Sequence, residues 1–436
     1  MKLASVILFC LTSLTVTRAA DKWSAPSKDQ IDGIYPGVEA LYMDLHRNPE
    51  LSLHEEKTAA RIAGELRKLG FDVTTGVGGN GVVGVLKNGA GPVVMVRAEL
   101  DALPVPEKTG LAYASRVTTH DDQGVEVPVM HACGHDLHMS IAMGAASLLA
   151  QNKDRWQGTF IYVGQPAEER VGGAAPMLKD GLFTRFPKPD YALAVHDTSN
   201  LPAGEVGYTP GYSLANADSV DVIVYGRGGH GAAPQDTVDP IVIAARTILA
   251  WQTIVSRENN PQDTAVVTVG SIHGGTKHNI IPDEVHMQLT VRSYKDDVRR
   301  HLLSAIERIA DAEAAAAGAE KKPMVTVSDG TPAVYNDPKL NQRIVGALEQ
   351  ALGSKNVVQQ PPSMAADDFA HYGRAGVPSV MIGIGAVDPE KFAAAQKTGQ
   401  ALPGPHSPFF APDREPSLRT GIAAEMAAVL ELLGKK

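Results

Sequence analysis

Three apolar segments of the chain each run directly into side chains that can bind a metal ion. Asp101 follows VVMVRAEL, the pair Glu168 and Glu169 follows FIYVGQPA, and His196 ends YALAV. Continuous apolar runs with helical patterns between them predict a mixed sheet that is covered by helices on both faces, hence an α/β fold. In such sheets ligands collect at the carboxyl ends of the strands. We therefore expect these four side chains to lie close together at one edge of the sheet.

A different pattern occupies the middle of the chain. Between about residues 215 and 330, an alternating strand is followed by an amphipathic helix, two strands, a second helix and a last strand. The order β-α-β-β-α-β is the signature of a ferredoxin-like unit. We therefore predict a catalytic domain in two parts, 20–214 and 331–436, interrupted by an inserted α+β domain at 215–330.

The N-terminus has the pattern of a secretory signal peptide. Lys2 precedes an apolar run over residues 3–16 and then small residues, so we predict a signal at 1–19 and export to a periplasm or the exterior. A membrane anchor is the alternative, but the run is short for a spanning helix. The formal net charge of −9 argues against nucleic acid or an anionic membrane as partner, because both require clustered Lys and Arg.

Removal of the signal would leave Cys133 as the one cysteine, because the only other is Cys10. Cys133 is then a buried small hydrophobe, a reactive thiol or a metal ligand. Imidazole, carboxylate and thiolate donors together favour a site for Zn, Mn, Co or Ni over one for Ca or Mg. The candidate ligands are Cys133, His135, Glu169, His196 and His406. The neighbouring His131 and His138 are equally compatible with a structural role and with support of the ligands.

The adjacent carboxylates Glu168 and Glu169 suggest two different roles. Neighbouring residues at a strand end point in opposite directions, so one can bind metal while the other faces the metal's water. A metal ion lowers the pKa of such a water, and a nearby carboxylate can take the proton and later deliver it to a leaving amine. We assign Glu169 to the metal and Glu168 to the proton. The alternative is a solvated acidic pair.

Nine segments together resemble the M20 metallopeptidase/amidohydrolase family. They are HRNPELSLHE, RAELDALPV, MHACGHDLH, GQPAEE, GGAAPMLKDGLF, GRGGHGAAPQDTVDPI, NIIPDEV, TVRS and GPHSPFF, in the order in which the family has them. They extend over nearly all of the chain after the predicted signal, and the set is far more specific than any one segment. The sequence is most similar to the branch of N-acyl-amino-acid amidohydrolases, hippurate hydrolases and plant auxin-conjugate hydrolases.

The resemblance implies a hydrolase with two divalent transition metal ions, and it matches all five candidate ligands to ligand positions of the family. It also implies that Glu168 is the general acid and base and that Asp101 orients a ligand imidazole. His230 matches a histidine that helps to hold the scissile carbonyl oxygen, often across a dimer interface. Asn279 and Arg292 match residues that bind the free carboxylate of the substrate, as a guanidinium can do with two parallel hydrogen bonds.

Three positions depart from the pattern of this branch. Glu99 stands where aspartate is usual, Arg170 where glycine is commoner, and Asp197 directly follows His196. Arg170 and Asp197 bear on the preference for the acyl group rather than on catalysis, because all five ligands and Glu168 are present.

The expected reaction is hydrolysis of the amide bond of N-acyl-L-amino acids, with release of an amino acid and a carboxylic acid. Closure between the two domains is expected to assemble the site, and the resemblance implies a homodimer formed through the insert. One alternative is an exported metallo-carboxypeptidase or dipeptidase with the same parts. A second alternative is an exported protein that binds acyl-amino acids without cleaving them, against which the retention of Glu168 and of the full ligand set argues.

Overall fold

A computed structural model describes residues 25–328 and 330–435 of the chain. The predicted signal peptide at 1–19 lies outside the described residues, so export stays a prediction. Within the described ranges, no helix combines the length and the apolar composition needed to cross a bilayer.

Strands and helices alternate along most of the described chain. The strands are β1 Asp72–Val77, β2 Gly81–Asn88, β3 Val93–Glu99, β4 Thr118–His120, β5 Glu126–Pro128, β6 Gly158–Gln165, β7 Tyr191–Pro202, β8 Val206–Tyr208, β9 Gly211–Leu214, β10 Asn216–Tyr225, β11 Gly229–His230, β12 Ala265–His273, β13 Ile280–Ile281, β14 Glu284–Ser293, β15 Met324–Val327, β16 Val334–Asn336, β17 Val357–Gln359 and β18 Ser379–Val387. The helices are α1 Lys28–Arg47, α2 Glu56–Lys68, α3 His135–Gln151, α4 Ala174–Lys179, α5 Pro240–Thr253, α6 Asp296–Ala316, α7 Pro338–Leu352, α8 Ala370–Arg374, α9 Pro389–Thr398 and α10 Arg414–Leu433.

The larger sheet has eight strands in the order β1-β2-β6-β3-β7-β18-β8-β17. Its centre, from β6 to β18, is parallel, whereas β1, β2 and β8 form antiparallel pairs. Phe160 and Tyr162 of β6 pack in a core with α1, α2, α3, α7 and α10, while Ile161 and Val163 face a second core that includes α4 and α8. The predicted mixed sheet with helices on both faces is therefore confirmed.

Helix α3 is buried on almost all sides, and its small residues allow this close packing. A Cβ atom added at Gly144 would lie 2.7 Å from Cγ1 of Ile422 on α10. The helix begins directly after Gly134, whose φ of 76° is readily adopted only by glycine. The stretch that contains Cys133 thus turns sharply into a rigid helix at the edge of the sheet.

The smaller sheet has four antiparallel strands in the order β12-β14-β10-β15. Helices α5 and α6 pack on one face, and Trp251, Val222 and Leu302 are among the buried residues of this separate core. The elements follow the predicted β-α-β-β-α-β order, with β11 and β13 added as a short two-stranded ribbon that the sequence did not indicate. The domain boundaries at 215 and 330 stay a prediction.

Candidate metal centre and active site

The predicted metal ligands, with Asp101 and Glu168, meet at the carboxyl edge of the large sheet. β3 and β7 pair only as far as Arg97 and Ala194. Asp101, after β3, and His196, on β7, therefore lie just beyond the end of this pairing. β7 itself continues beside β18, so His196 does not end its strand as the sequence pattern predicted.

Cys133 lies at the centre of the candidate metal cluster. Its sulfur is 3.7 Å from Nε2 of His196. Two groups of donor atoms, each within 4.8 Å of one another, share Cys133: one also contains His135 and His196, and the other Glu169 and His406. Burial and the carboxylate of Glu169 raise the pKa of the Cys133 thiol, so a cation would be needed to hold it as a thiolate. The structure brings all five predicted ligands together around one thiol.

The orientation of the donors fits a metal. Nδ1 of His135 lies 2.8 Å from the carbonyl oxygen of Asp101 and must donate, because a carbonyl only accepts. The opposite nitrogen of His135, Nε2, is buried without a hydrogen-bond partner among the described residues, as is Oε1 of Glu169. His196 is held in the same way through Nδ1, 2.8 Å from the carbonyl oxygen of Asp197. Buried polar atoms without partners are rare, and this sulfur, nitrogen and oxygen set suits Zn, Mn, Co or Ni.

His138 and His131 differ from the candidate ligands. Nε2 of His138 accepts the backbone N–H of Asp197 at 2.9 Å, and Nδ1 lies 2.9 Å from a carboxylate oxygen of Glu99. Neither nitrogen of His138 is left for a metal, which favours a structural role. Burial lowers the pKa of His131 to about 4, so that imidazole is neutral.

Glu168 and Glu169 lie on a turn of 3₁₀ helix, Glu168–Arg170, and not on the end of β6. We call residues 167–171 the glutamate turn. The backbone N–H of Glu169 donates to Oδ2 of Asp101 at 3.0 Å, and Ser52 donates to the same oxygen at 2.6 Å. The Asp101 carboxylate thus holds the turn, while its carbonyl oxygen orients His135.

Glu168 is buried within reach of the cluster. Its Oε2 lies 3.8 Å from Nε2 of His135. Burial, together with the nearby carboxylates of Asp367 and Glu169, raises the pKa of Glu168 well above its usual range. A carboxyl group in this environment can accept and return a proton near neutral pH.

Three predicted residues lie outside the metal cluster. His230 pairs with Ile280 in the exposed ribbon of β11 and β13, and the N–H of Gly231 donates to the carbonyl oxygen of Asn279 at 2.9 Å. Arg292, on β14, donates from Nη1 to the carbonyl oxygen of Met364 at 2.8 Å. No hydrogen bond or ion pair of the described chain joins these three side chains to the five candidate ligands.

A buried ionic network behind the glutamate turn was not predicted. Arg97, fully buried on β3, bonds to the carboxylates of Glu99, Asp367 and Asp368. An arginine inside the apolar run VVMVRAE was a visible signal, because a buried charge requires buried partners. Two of those partners are 270 and 271 positions further along the chain, so local sequence patterns could not identify them.

Arg170 and Asp197, which depart from the family pattern, have different surroundings. Arg170 is half exposed and pairs with Asp122. Asp197 is buried, and neither of its carboxylate oxygens has a hydrogen-bond partner among the described residues. A Cβ atom added at Gly134 would lie 2.1 Å from Oδ2 of Asp197, so this aspartate requires glycine beside Cys133.

Comparisons with known proteins agree with this geometry. The sequence profile of peptidase family M20/M25/M40 matches residues 95–424. Thermostable carboxypeptidase 2 of Saccharolobus solfataricus is 35% identical over 349 residues, which are 79% of this chain and 85% of that protein. The hippurate hydrolase of Campylobacter jejuni is 36% identical over 339 residues, which are 77% of this chain and 84% of that protein.

A solved structure extends the similarity to the fold. The crystal structure of the Bacillus subtilis YXEP protein, a dinuclear metal-binding peptidase from the M20 family, is 28% identical to this chain. The two structures superpose with a TM-score of 0.72, and the match covers 92% of this chain and 99% of that one.

Proposed function

The chain belongs to peptidase family M20/M25/M40 and is a metal-dependent hydrolase, and we propose that it hydrolyses N-acyl-L-amino acids. The products would be a free amino acid and a carboxylic acid, with acetyl, benzoyl or a similar group as the acyl part. One observation carries the proposal: buried Glu168 lies beside two groups of metal donors that share Cys133.

The residues of the cluster would bind two metal ions and transfer a proton. Cys133, His135 and His196 would hold one metal ion, and Cys133, Glu169 and His406 the other. When bound, the metals supply polarisation of the scissile carbonyl and a lower pKa for the attacking water. Glu168 takes the proton from that water and delivers it to the leaving nitrogen, for which its raised pKa is suited.

Recognition of the substrate would involve the inserted unit. The guanidinium of Arg292 has N–H groups beyond the one that donates to Met364, and these would grip the free α-carboxylate. Asn279 would assist it, and His230 would donate to the carbonyl oxygen. Because His230 on β11 and Asn279 directly before β13 are both exposed, we infer that closure of the insert, or a second copy of the chain, brings them to the site.

A homodimer through the insert is part of the proposal. Helix α5 exposes Ile241, Val242 and Leu249, the last with 71% of its surface accessible. β12 is an edge strand of the same unit and exposes Ile272. Exposed apolar side chains next to an open strand edge are typical of a surface that a second copy covers. Export to a periplasm or the exterior is also proposed, on the sequence of residues 1–19 alone.

The decisive test is Glu168→Gln, which keeps the shape of the side chain and removes its ability to take a proton. We expect unchanged metal content, measured by plasma emission spectrometry, and a loss of turnover of at least about 100-fold. Residual activity within a few-fold of the unsubstituted protein would contradict the role of Glu168.

A substrate panel separates the proposed function from its alternatives. Acetyl-, benzoyl- and indoleacetyl-amino acids would be compared with dipeptides and longer peptides in the presence of Zn, Mn, Co or Ni. Preference for peptides would favour a carboxypeptidase or dipeptidase, an alternative supported by the 35% identity to the Saccharolobus carboxypeptidase. Binding of acyl-amino acids by the metal-loaded protein without release of amine would favour a binding protein.

A further inference from the structure

The glutamate turn has a backbone that its side chains disfavour. Ala167 and Val171, which flank Glu168 and Glu169, have φ values of 52° and 53°. L-residues other than glycine avoid this left-handed region, and a β-branched valine does so most strongly. Such a conformation persists only where the surroundings hold it.

Three buried carboxylates hold the backbone N–H groups in and beside this turn. Glu55, Asp101 and Asp368 are each fully buried. The bonds run from Ala167 N to Glu55 at 2.8 Å, from Glu169 N to Asp101 at 3.0 Å, and from Gly173 N and Ala174 N to Asp368 at 3.0 and 2.8 Å. Charge-assisted bonds of this kind are about twice as strong as neutral ones.

Asp368 accepts hydrogen bonds from residues on both sides of the turn. Its Oδ2 accepts the N–H of Gly173 after the turn, and its Oδ1 accepts the side-chain amide of Gln165 before it, at 2.6 Å. Arg97 holds the same Oδ1 at 3.1 Å. Space is tight, because a Cβ atom added at Gly173 would lie 1.8 Å from the carbonyl oxygen of Pro166.

The segment that carries Asp368, residues 363–368, also contacts the inserted unit. It contacts as well the two connections, at Ala215 and Thr331, that join this unit to the rest of the chain. Among the hydrogen bonds of the segment's main chain, three reach the insert or its two connections. The bonds run from Ala215 N to Ala365 O at 2.8 Å, from Thr331 Oγ1 to Asp367 O at 3.5 Å, and from Arg292 Nη1 to Met364 O at 2.8 Å. One short segment thus connects β14 of the insert to the glutamate turn.

We propose that Asp368 is a positioning residue that fixes Glu168 and Glu169 relative to the other candidate metal ligands. Residues 363–368 couple this position to Arg292. The role of Glu168 in this inference rests on the proposed function, whereas the hold on the turn does not. When the remaining N–H groups of Arg292 bind a carboxylate, the guanidinium moves together with its bond to the carbonyl oxygen of Met364, and the segment transmits this change to the turn.

The first test is Asp368→Asn in the full-length protein supplied with saturating Zn. The new amide keeps one acceptor oxygen and places an NH2 group at the other position, so Asp368→Asn can no longer accept on both sides of the turn, and the turn loosens. We expect kcat to fall about 10- to 100-fold, as for a misplacement of up to about 1 Å, with KM changed less than about threefold. Hydrogen exchange measured by mass spectrometry should become at least about tenfold faster in the peptide containing Gly173 and Ala174, since their charged acceptor is replaced by a weaker amide oxygen or by an NH2 group.

The matched control is Asp218→Asn in the insert. Asp218 is equally buried and is paired with Arg299, so the control lowers stability by loss of a buried charge pair without touching the turn. It should leave kcat per metal-loaded molecule and exchange in the peptide containing Gly173 unchanged. Equal kcat in the Asp368 and Asp218 variants, or unchanged exchange at Gly173 and Ala174, would overturn the positioning role.

Asp368→Glu covers the case in which Asp368→Asn does not fold. It keeps the charge beside Arg97 and displaces the carboxylate by one methylene, so the same loss of kcat and the same faster exchange are expected, and wild-type values would refute the inference. Hydrogen exchange needs no substrate, so a wrong assignment of Glu168 would leave this readout intact.

The tie to the insert is tested by Arg292→Ala, with Arg299→Ala as the control from the same unit. In the substrate-free protein, Arg292→Ala should speed exchange in the peptide containing Gly173, because Met364 loses its donor. Exchange there that is the same in both variants would show that the segment does not transmit from Arg292.

Discussion

Glu425 predicts a pH dependence of stability that one isosteric substitution removes. It lies on α10 with 1% of its surface accessible, and neither carboxylate oxygen has a hydrogen-bond partner among the described residues. Burial raises its pKa from 4.5 to about 8, so the group is neutral in the folded protein at pH 7. The hydroxyl of Tyr162, whose pKa is raised by burial and by Glu425, is likewise buried without a partner.

The sign follows from the protons bound in each state. The unfolded chain releases the proton of Glu425 above pH 4.5, whereas the folded protein keeps it to about pH 8. The folded state therefore binds more protons, and the free energy of unfolding falls as pH rises through this window. At about 1.4 kcal/mol for each pH unit, the loss amounts to about 5 kcal/mol by pH 8.

The side chain introduced by Glu425→Gln is neutral at every pH, so the substitution removes this pH-dependent contribution to the free energy of unfolding. Urea unfolding would be measured between pH 5 and 8.5 in the presence of a chelator, so that metal binding does not contribute. The variant minus wild-type free energy of unfolding should rise by about 4 kcal/mol over this range. The slope decides the result, because any fixed effect of the amide shifts all points equally. Glu415→Gln, at an exposed position of the same helix, is the control, and a flat difference for Glu425→Gln would refute the reasoning.

Three further outcomes are expected. Cys133→Ser should weaken metal retention in chelator competition more than it lowers the unfolding midpoint, and full metal content with full activity would mean that the thiol only packs. Gly134→Ala should lower both metal content and stability, by at least about 2 kcal/mol, because the added methyl group collides with Asp197. Burial opposes the charge on His46, but the carboxylates of Asp136 and Glu107 outweigh it and raise the pKa of His46 to about 10. His46→Gln should therefore lower the free energy of unfolding by about 3–5 kcal/mol below pH 6.5, and by progressively less towards pH 10. Urea unfolding at pH 6 and at pH 9.5 can check this difference.

Apolar runs predicted β2, β3, β6, β7 and β18 of the large sheet, because β3, β6 and β18 in particular are buried on both faces. They did not indicate β1, β8 and β17, of which β1 is largely exposed. The same reasoning predicted that Asp101, Glu168 and His196 meet at one edge, since parallel strands end together. The elements of the insert were also visible, because alternation on β10 and on β14 differs so clearly from the continuous runs of β3 and β6.

The local geometry at the site was less accessible to sequence reasoning. The left-handed conformations of Ala167 and Val171 have no signature in their residue types, which disfavour them. They exist because carboxylates from distant parts of the chain hold the turn, and Asp368 is one of these. Pairing beside β18 extends β7 beyond His196, which periodicity within β7 could not reveal.

The order of the proposed metal donors along the chain has a consequence for biosynthesis. Cys133, His135, Glu169 and His196 all precede the inserted unit, whereas His406 follows it. A nascent chain therefore exposes four donors to the solution while the ribosome is still translating the insert. The full set assembles only when the C-terminal part has folded back against α3, and contacts so distant in sequence form slowly. With the proposed ligand set, we therefore expect complete metal binding only after the C-terminal part has folded, and an ion captured earlier would be held by an incomplete set of ligands.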